Sequence, residues 1–442
     1  MDKVRDVVVG GGGPAGIAAA IAAARMNCRT TLVESHDVLG GMGTAGLVNN
    51  FCPAHLDGFR LIIGGIFEEI REELIRRRAI YASPDFRYMM EAYDPEVFAS
   101  LLQELCVGAG VEVLLGEQIE SAKPAGAGGP TEILLKGGQV LTARMVVDTT
   151  GNGHLAASCG ARFSFGRAKD GAVMPLTYCY EIAGIDLEGL ARGLEGVTAT
   201  DPLTGELYCN LGSHPKINPW VAEARASGEL TIPRDSIAVI LSVPGRPTHA
   251  TVNFGRVLCK DPTDPAQLAG ASEEGLRQVE EGIRFFRKYL PGFENVRLVR
   301  AARQIGIRES RQIIGKYLLT EEDAVSCRQF DDAIAQCCYA IDVHEPDSDR
   351  TTMREFERGT HFDIPMRCLI PAEGPANLVV GGRCISATQG AMSSFRVSPS
   401  VMAIGEAAGV LAALAAADHC DASGVAAERV REKLTATGGI LE

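Results

Sequence analysis

The sequence lacks any C-x-x-C pair, and its thirteen cysteines are scattered except for the adjacent pair Cys337-Cys338. Zinc and iron–sulfur centres need closely spaced ligands, and a disulfide-exchange enzyme needs a redox-active cysteine pair. The spacing therefore argues against both kinds of site, and we predict no bound metal. An odd number of scattered cysteines is typical of reduced thiols in a cytoplasm.

The chain also lacks a positive net charge and a long apolar run. It has 43 Lys and Arg against 56 Asp and Glu, a formal net charge of −13, which disfavours nucleic acid and anionic membranes as main partners. The longest apolar stretches, residues 17–24 and 407–417, are shorter than the roughly 20 residues that span a bilayer. The first predicted strand follows Met1 so closely that no signal peptide is expected, and we predict a cytoplasmic protein.

What the sequence does contain is a dinucleotide-binding motif near its start. Residues 5–10 are a valine-rich run typical of a buried strand, and Gly11, Gly13 and Gly16 then form a G-x-G-x-x-G turn into an alanine-rich helix. The N–H groups and the dipole at a helix N-terminus favour a pyrophosphate. Glu34 ends the next predicted strand, 23 residues after Gly11, where an acid can hydrogen-bond a ribose hydroxyl.

At 442 residues the chain is longer than one hydrophobic core usually supports, so we predict two domains. The predicted fold is α/β: a Rossmann-like dinucleotide-binding domain from residues 1–160 and 366–442, with an inserted α+β substrate domain containing a mixed sheet at 161–365. Hydrophobic periodicity predicts helices at 95–108 and 272–290. The chain has no second G-x-G-x-x-G, which argues against a separate nicotinamide site.

Four segments resemble those of FAD-dependent oxidoreductases with two dinucleotide-binding domains, and more narrowly the bacterial family named FAD-dependent oxidoreductase. These segments are residues 7–34, 39–47, 146–161 and 306–417. The resemblance covers nearly the whole chain, and it implies an oxidoreductase with FAD as its cofactor. Residues 380–383 lack the acid that flavin hydroxylases usually carry at this turn, which disfavours a monooxygenase.

By that resemblance, the ADP half of FAD lies on the first glycine turn and Glu34, and the flavin lies beside Arg383 and the helix after Ser398. A helix N-terminus at the flavin would stabilise the negative charge of its reduced form. The full set of predicted FAD-binding residues is Gly11, Gly13, Pro14, Ala15, Gly16, Glu34, Ser35, Gly40, Gly41, Met42, Thr44, Val113, Thr150, Gly151, Gly382, Arg383 and Ser398.

Two histidines are candidate bases that would take a proton from the substrate. His344 ends a predicted strand, and a structural histidine bonded to Asp342 is the equal alternative for it. His361 precedes the predicted return to the first domain and is supported only by its position near a predicted cleft. A covalent flavin link through Cys52 or His55 is a further hypothesis.

Arg308 and Arg311 are candidate substrate-orienting residues. They are three positions apart, so they would share a face if their segment were a helix, and an arginine can clamp a carboxylate through two parallel hydrogen bonds. The alternative is a salt-bridge network between the domains, in particular Arg308 with Glu309. Arg396, near the predicted flavin end, is a further candidate.

The predicted function is an FAD-dependent dehydrogenase or oxidase that removes a hydride from a small polar or anionic organic substrate. Two alternatives stay open. One is ene-reduction of the fumarate-reductase type, because the same parts serve the reverse reaction, and the other is a flavoprotein subunit that passes electrons to a partner. We expect a small-molecule substrate, no nucleic-acid or membrane partner, and allow a homo-oligomer.

Overall fold

The computed structural model describes residues 4–56, 60–81, 90–126, 129–237 and 239–441. The strands are β1 (Arg5–Gly10), β2 (Thr30–Glu34), β3 (Asn50–Phe51), β4 (His55–Leu56), β5 (Arg60–Leu61), β6 (Glu91–Ala92), β7 (Glu112–Leu115), β8 (Ile119–Pro124), β9 (Thr131–Leu135), β10 (Val140–Asp148), β11 (Phe163–Phe165), β12 (Tyr180–Ala183), β13 (Thr198–Thr200), β14 (Leu207–Gly212), β15 (Val239–Val243), β16 (Arg246–Asn253), β17 (Arg297–Ala301), β18 (Arg311–Ile313), β19 (Ala333–Cys337), β20 (Ile341–His344), β21 (Thr351–Arg354), β22 (Phe362–Pro365) and β23 (Leu378–Val380).

The helices are α1 (Pro14–Arg25), α2 (Ile66–Arg76), α3 (Pro95–Gly108), α4 (His154–Ser158), α5 (Leu187–Gly193), α6 (Asn218–Ala226), α7 (Pro265–Tyr289), α8 (Glu321–Val325), α9 (Gln389–Phe395), α10 (Ser398–Asp418) and α11 (Ala427–Ala436). Short 3-10 turns lie at Gly41–Gly43, Met366–Leu369, Gly382–Cys384 and Ala422–Gly424.

A seven-stranded sheet forms the base of the first domain. Its order is β7-β2-β1-β10-β9-β8, and β23 pairs with β10 as well. The strands β7, β2, β1, β10 and β23 run parallel, whereas β9 is antiparallel to β10 and to β8. Val7, Val8 and Val9 are fully buried, as expected for a central parallel strand. The predicted α/β class is confirmed, and the first glycine turn lies at the C-terminal end of β1, where such sheets bind dinucleotides.

Helices α1 and α10 pack directly against each other in the first domain. A Cβ at Gly405 would collide with the carbonyl oxygen of Ala15, and a Cβ at Gly409 with that of Ala19. Residues four apart lie on one helix face, so these small residues let the two backbones meet. Helix α10 is long and apolar enough to cross a membrane, but 89% of its apolar window is buried inside the molecule. That burial is typical of a core helix.

A second hydrophobic core is built almost wholly from residues 176–305, around a six-stranded sheet in the order β13-β14-β15-β16-β12-β17. A mixed sheet was predicted for the inserted domain, but the strand pairs of this six-stranded sheet are all antiparallel. The sheet that mixes parallel and antiparallel pairs is the one in the first domain. Residues 313–370 contribute to the first core, for example through Phe362. The domain boundaries at 160 and 365 stay a prediction.

The hairpin of β20 and β21 is held between the two cores. Arg256, which follows β16, donates from Nη2 to the backbone carbonyls of Glu345, Ser348 and Arg350 in the hairpin turn. On the other side, the backbone N–H of Asp342 donates to the Ser393 hydroxyl of α9 at 3.1 Å. These bonds hold the hairpin between the segment after β16 and helix α9.

Candidate active site

The first glycine turn forms an open cradle at the N-terminus of α1. Gly11 has a φ of +97°, a left-handed conformation that other residues rarely adopt, and a Cβ at Gly16 would collide with the carbonyl oxygen of Gly11. At Gly13, by contrast, a Cβ would meet no described atom within 4 Å. No described side chain caps α1, so its first N–H groups are left for another partner.

Glu34 lies at the end of β2 beside this cradle. Its Oε2 accepts a hydrogen bond from the Gly12 N–H at 2.7 Å, and its Oε1 accepts one from the His36 N–H at 2.7 Å. Burial opposes ionisation, but the bonds from His36 and Gly12 outweigh it and lower the pKa of Glu34. The buried carboxylate is therefore ionised at neutral pH.

The second glycine cluster packs against the first. A Cβ at Gly41 would lie 3.0 Å from the Gly13 Cα, and the Thr44 hydroxyl donates to the Leu39 carbonyl at 2.6 Å. From this cluster, Met42 reaches Gln304, whose amide lies 3.8 Å from its sulfur. Residues 40–44 thus connect the cradle with the end of the second core.

Arg383 lies further along the same domain, next to Gly151. Its Nη2 donates to Asn152 Oδ1 at 2.8 Å, and the Ser310 hydroxyl donates to the same oxygen at 2.8 Å. Its buried Nη1 has no hydrogen-bond partner within the described residues. Burial lowers the pKa of Arg383 to about 10, which leaves the guanidinium charged at neutral pH. It therefore presents a donor that a ligand can use.

A charged cluster lies where the hairpin meets the end of α9. Asp342 Oδ1 faces His344 Nε2 at 3.5 Å, and Arg396 Nη2 donates to Asp342 Oδ2 at 3.2 Å. The other ring nitrogen, His344 Nδ1, lies 3.2 Å from the Thr351 hydroxyl. Arg396 follows the last residue of α9 and is two residues before Ser398, the first residue of α10, so the cluster packs against the end of α9, close in sequence to the start of α10.

The protonation states in this cluster differ from one residue to the next. Burial opposes ionisation of Asp342, but His344 and Arg396 outweigh it and hold the pKa of this carboxyl below its usual range. Burial, together with the nearby Arg308, holds the pKa of His344 well below 6.5. At neutral pH the cluster therefore contains an ionised carboxylate beside a neutral imidazole.

Arg308 adds a second cation to the cluster. Its Nη1 donates to the Pro175 carbonyl at 2.6 Å, and its Nη2 donates to Asn253 Oδ1 at 3.4 Å. Burial and the charge of Arg396 lower its pKa to about 9, so it remains charged at neutral pH. Protein surrounds both Arg308 and Arg383, yet part of each side chain is exposed.

These features agree with a comparison of the whole sequence. The sequence model of the family described as FAD dependent oxidoreductase matches residues 6–434. The chain belongs to this family. It is an enzyme with FAD as its cofactor, as the resemblance of its motifs implied.

Two of the solved structures that resemble this chain over most of its length are named here. The p-nitrophenol 4-monooxygenase PnpA from Pseudomonas putida DLL-E4 is 14% identical with a TM-score of 0.44, and the match covers 98% of this chain and 84% of that one. A geranylgeranyl bacteriochlorophyll reductase-like protein from Thermoplasma acidophilum is 13% identical with a TM-score of 0.44, covering 98% and 83%. At these scores, nothing about substrate or reaction transfers to this chain.

The residues of the cradle fit FAD. An open glycine turn at an uncapped helix N-terminus suits a pyrophosphate, and an ionised Glu34 can accept hydrogen bonds from ribose hydroxyls. The other predicted FAD-binding residues border the same region or continue its elements. Pro14 and Ala15 begin α1, Ser35 donates to Glu34, Gly40 precedes the turn at Gly41, Val113 pairs with Leu32 of β2, Thr150 donates to Asp148, and Gly382 adjoins Ala15. Their contacts with FAD stay a prediction.

Arg308 and Arg311 do not share a helix face, because their segment is not a helix. Arg308 lies in irregular backbone and Arg311 begins β18, because this segment completes a strand pair with β11. Arg311 Nη2 donates to the Thr263 hydroxyl at 3.0 Å, whereas Arg308 points to the charged cluster.

The proposed pairing of Arg308 with Glu309 is also absent from the described contacts. Glu309 Oε2 instead accepts hydrogen bonds from the Met174 N–H at 2.9 Å and from Gln389 Nε2 at 2.6 Å. Arg308 and Glu309 therefore contact different neighbours.

Three other candidates lie outside the charged cluster or are poorly activated. His361 Nε2 faces Asp363 Oδ1 at 3.6 Å, and burial and Arg60 lower its pKa. Burial raises the pKa of Cys52 to about 12, so its thiol stays protonated and is a weak nucleophile. Burial lowers the pKa of His55 to about 4. The structure does not activate Cys52 for a covalent flavin link.

Two buried arginines, Arg234 and Arg256, were missed by reasoning from the sequence. Neither stands in a motif, since Arg234 follows Pro233 in a loop and Arg256 follows the end of β16. Arg256 also borders an open cavity of about 570 Å³ beside α7, which His344, Asp342 and Arg308 do not line. Only burial in three dimensions marks these arginines as unusual.

Proposed function

We propose that the protein is an FAD-dependent dehydrogenase or oxidase that takes a hydride from a small organic anion. The observation that carries the proposal is the cluster in which Arg396 is bonded to Asp342, Asp342 faces His344, and Arg308 lies close enough to lower the pKa of both residues of the pair. A cation to orient a carboxylate and a neutral base to accept a proton thus lie together.

We further propose that FAD extends from the first glycine turn to the start of α10. The free N–H groups of α1 bind the pyrophosphate, Glu34 binds a ribose, and Arg383 offers its unpartnered Nη1. No described side chain caps α10, so its N-terminus suits the electron-rich pyrimidine end of the flavin. FAD supplies the hydride acceptor, and the protein supplies the position and the proton acceptor.

In this proposal Arg308 and Arg396 orient the substrate. A guanidinium binds a carboxylate through two parallel hydrogen bonds, and this fixes the angle of the attached carbon. Arg396 is already tied to Asp342, which holds it beside the base. The substrate hydroxyl or amine would then face the imidazole.

His344 is the proposed base. The Asp342 carboxylate favours a proton on the facing Nε2, which leaves the lone pair on Nδ1. Thr351 presents its hydroxyl to Nδ1 at 3.2 Å, and a substrate hydroxyl would take that place. Since the imidazole is neutral at neutral pH, it is ready to accept the proton that leaves with the hydride.

An anaerobic reduction assay tests this function. The purified protein is mixed with small hydroxy acids and amino acids, and bleaching of the flavin absorption is followed. With a substrate that bleaches the wild type, His344→Gln should slow the bleaching by about 10²–10⁴-fold. His214→Gln is the control, because the half-buried ring of His214 hydrogen-bonds to the Glu195 carbonyl and the Lys216 N–H and is not among the influences on Asp342 or His344.

Two results would contradict the proposal. Bleaching that is unchanged in His344→Gln would remove this residue from the reaction. A chemically reduced protein that is reoxidised by an enoate, while no hydroxy or amino acid bleaches it, would point to ene-reduction instead.

A further inference from the structure

Glu309 is a fully buried carboxyl group that uses only one of its two oxygens. It lies two residues before β18, and its exposure is 0%. Its Oε2 accepts hydrogen bonds from the Met174 N–H at 2.9 Å and from Gln389 Nε2 at 2.6 Å. Its Oε1 has no hydrogen-bond partner within the described part of the chain. Buried polar atoms without a partner are rare in folded proteins, so this oxygen indicates a ligand.

On one side, direct contacts connect Glu309 with the charged cluster. Met174, whose N–H reaches Glu309, also lies with its sulfur 3.4 Å from Arg396 Nη1. Arg396 Nη2 in turn donates to the Asp342 carbonyl at 2.9 Å and to its Oδ2 at 3.2 Å. The second donor to Glu309, Gln389, is the first residue of α9, and Arg396 follows the last residue of that helix. A single residue thus separates Glu309 from the arginine of the cluster.

On the other side, the chain leads from Glu309 to Arg383. The next residue, Ser310, donates to Asn152 Oδ1 at 2.8 Å, and Arg383 Nη2 donates to the same oxygen at 2.8 Å. The buried Nη1 of Arg383 is also without a partner among the described residues. Asn152 and Arg383 are only partly buried. Glu309 therefore lies between the charged cluster and the arginine at which we propose the flavin.

The surroundings of Glu309 favour the neutral acid over the carboxylate. Burial raises the pKa of Glu309, and the hydrogen bonds from Gln389 and Met174 and the charges of Arg396 and Arg383 lower it by less. An ionised oxygen without a donor is the most costly form of a buried carboxyl group. A neutral acid instead has an O–H group that needs an acceptor. The ring of an oxidised flavin presents several acceptor atoms and a single N–H, so it suits this donor.

We propose that Glu309 is a neutral acid that donates a hydrogen bond from Oε1 to the ring of the bound oxidised flavin, beside Arg383. Electrons added to the ring make its acceptor atoms more negative and strengthen such a bond, so the bond favours reduction of the flavin. This inference rests on the proposed function only for the position of the flavin. It does not depend on the substrate or on His344.

The test is the reduction potential of the bound FAD, measured without substrate by equilibration with a redox dye. Glu309→Gln keeps a neutral N–H donor, so its potential should stay close to that of the wild type. Glu309→Met has no donor, and the equilibrium constant for reduction should fall about 10-fold, which is about 30 mV for two electrons. An ionised Glu309 predicts the opposite sign, because the loss of a negative charge raises the potential in both variants.

Glu281→Gln is the matched control. Glu281 is a buried glutamate of α7 that is bonded to Thr231 and Arg277, and it belongs to the second core. Its substitution should lower the melting temperature and leave the potential unchanged. The melting temperatures of the Glu309 variants without FAD record their effects on folding, which the potential of the bound flavin does not report.

Each outcome bears on one of the two proposals. A raised potential in Glu309→Gln, or an unchanged one in Glu309→Met, overturns the role of Glu309. If Glu309→Met does not bind FAD, the sign of the shift in Glu309→Gln decides. If the role of Glu309 fails while Arg383→Met weakens FAD binding, the proposed position of the flavin stands. If neither Glu309→Met nor Arg383→Met changes the affinity or the potential, both are wrong. Bleaching of the flavin by substrate tests the proposed reaction separately.

Discussion

His344 combines the two properties that a general base needs at neutral pH, an unprotonated ring nitrogen and a fixed orientation. Burial and Arg308 keep the ring neutral, while the facing carboxylate of Asp342 holds one nitrogen. These influences oppose each other, since Asp342 raises the pKa of His344 and Arg308 lowers it. The arginine thus has two effects at once: it can bind the substrate, and it keeps the base unprotonated.

The pH profile of kcat/KM tests this balance. Protonation inactivates a base below its pKa, so the acid limb of the wild type should lie below pH 6.5. Arg308→Met removes a charge that lowers the pKa of His344, so the limb should move to higher pH. The position of the limb is the readout, because the variant also weakens substrate binding.

Arg311→Met is the matched control for that profile. Its guanidinium contacts Asn152 and Thr263 and is not among the influences on the pKa of His344, so the limb should stay in place. An acid limb at the same pH in the wild type and in Arg308→Met would contradict the coupling between arginine and base.

At the scale of helices and strands, the sequence predicted the helix bounds that depend on residues close together in the chain. Helix α3 has the predicted bounds, because Asp94 caps it and Pro95 begins it. Helix α7 begins at Pro265, not at residue 272, because Asp264 accepts hydrogen bonds from the N–H groups of Ala266 and Gln267. Its first turns are mostly exposed and consist mainly of small residues, so no apolar stripe marks this start.

The candidate site was predictable only where its residues are near in sequence. Asp342 and His344 are two apart on one strand and share a face, so their contact follows from the period of a strand. The contact of Arg396 with Asp342 depends on how α9 packs against β20, and the isolation of Arg234 depends on everything that surrounds it. No local pattern contains that information.

The contact between α1 and α10 gives a prediction at the same scale. Gly405→Ala places a methyl group against the Ala15 carbonyl, which is backbone and cannot turn away. We expect a loss of about 1–3 kcal/mol in the free energy of unfolding. Since α10 also begins two residues after Arg396 of the charged cluster, FAD affinity should fall with it.

Gly270→Ala is the control for that substitution, measured by the same urea unfolding curves. Gly270 lies inside α7, where a Cβ would meet no described atom within 4 Å. Alanine there should raise the free energy of unfolding by about 1 kcal/mol, because it favours helix. If both variants are more stable than the wild type, then α1 and α10 do not pack as closely at Gly405 as described here.

At the scale of the whole molecule, FAD would join parts that are far apart in the sequence. The residues proposed to bind it belong to segments 11–44, 150–151 and 382–398 and include Val113, and the charged cluster adds the hairpin at 341–354. Within the described residues, the buried Nη1 of Arg383 has no hydrogen-bond partner, and no side chain caps the N-terminus of α1. FAD could bond to both groups. Ligand binding should therefore stabilise the fold as a unit.

Removal and return of FAD measures that stabilisation. A ligand at 100 times its Kd adds about 2.7 kcal/mol, which for a chain of this size raises the melting temperature by about 3 °C over the apoprotein. Glu34→Gln loses an ionised acceptor for ribose, so its Kd should rise about 10-fold or more and the increase at the same FAD concentration should fall to about half or less. Glu188→Gln, on the exposed face of α5, should show the full increase. Because each variant is compared with its own apoprotein, an equal increase in Glu34→Gln could only mean that Glu34 does not hold the cofactor.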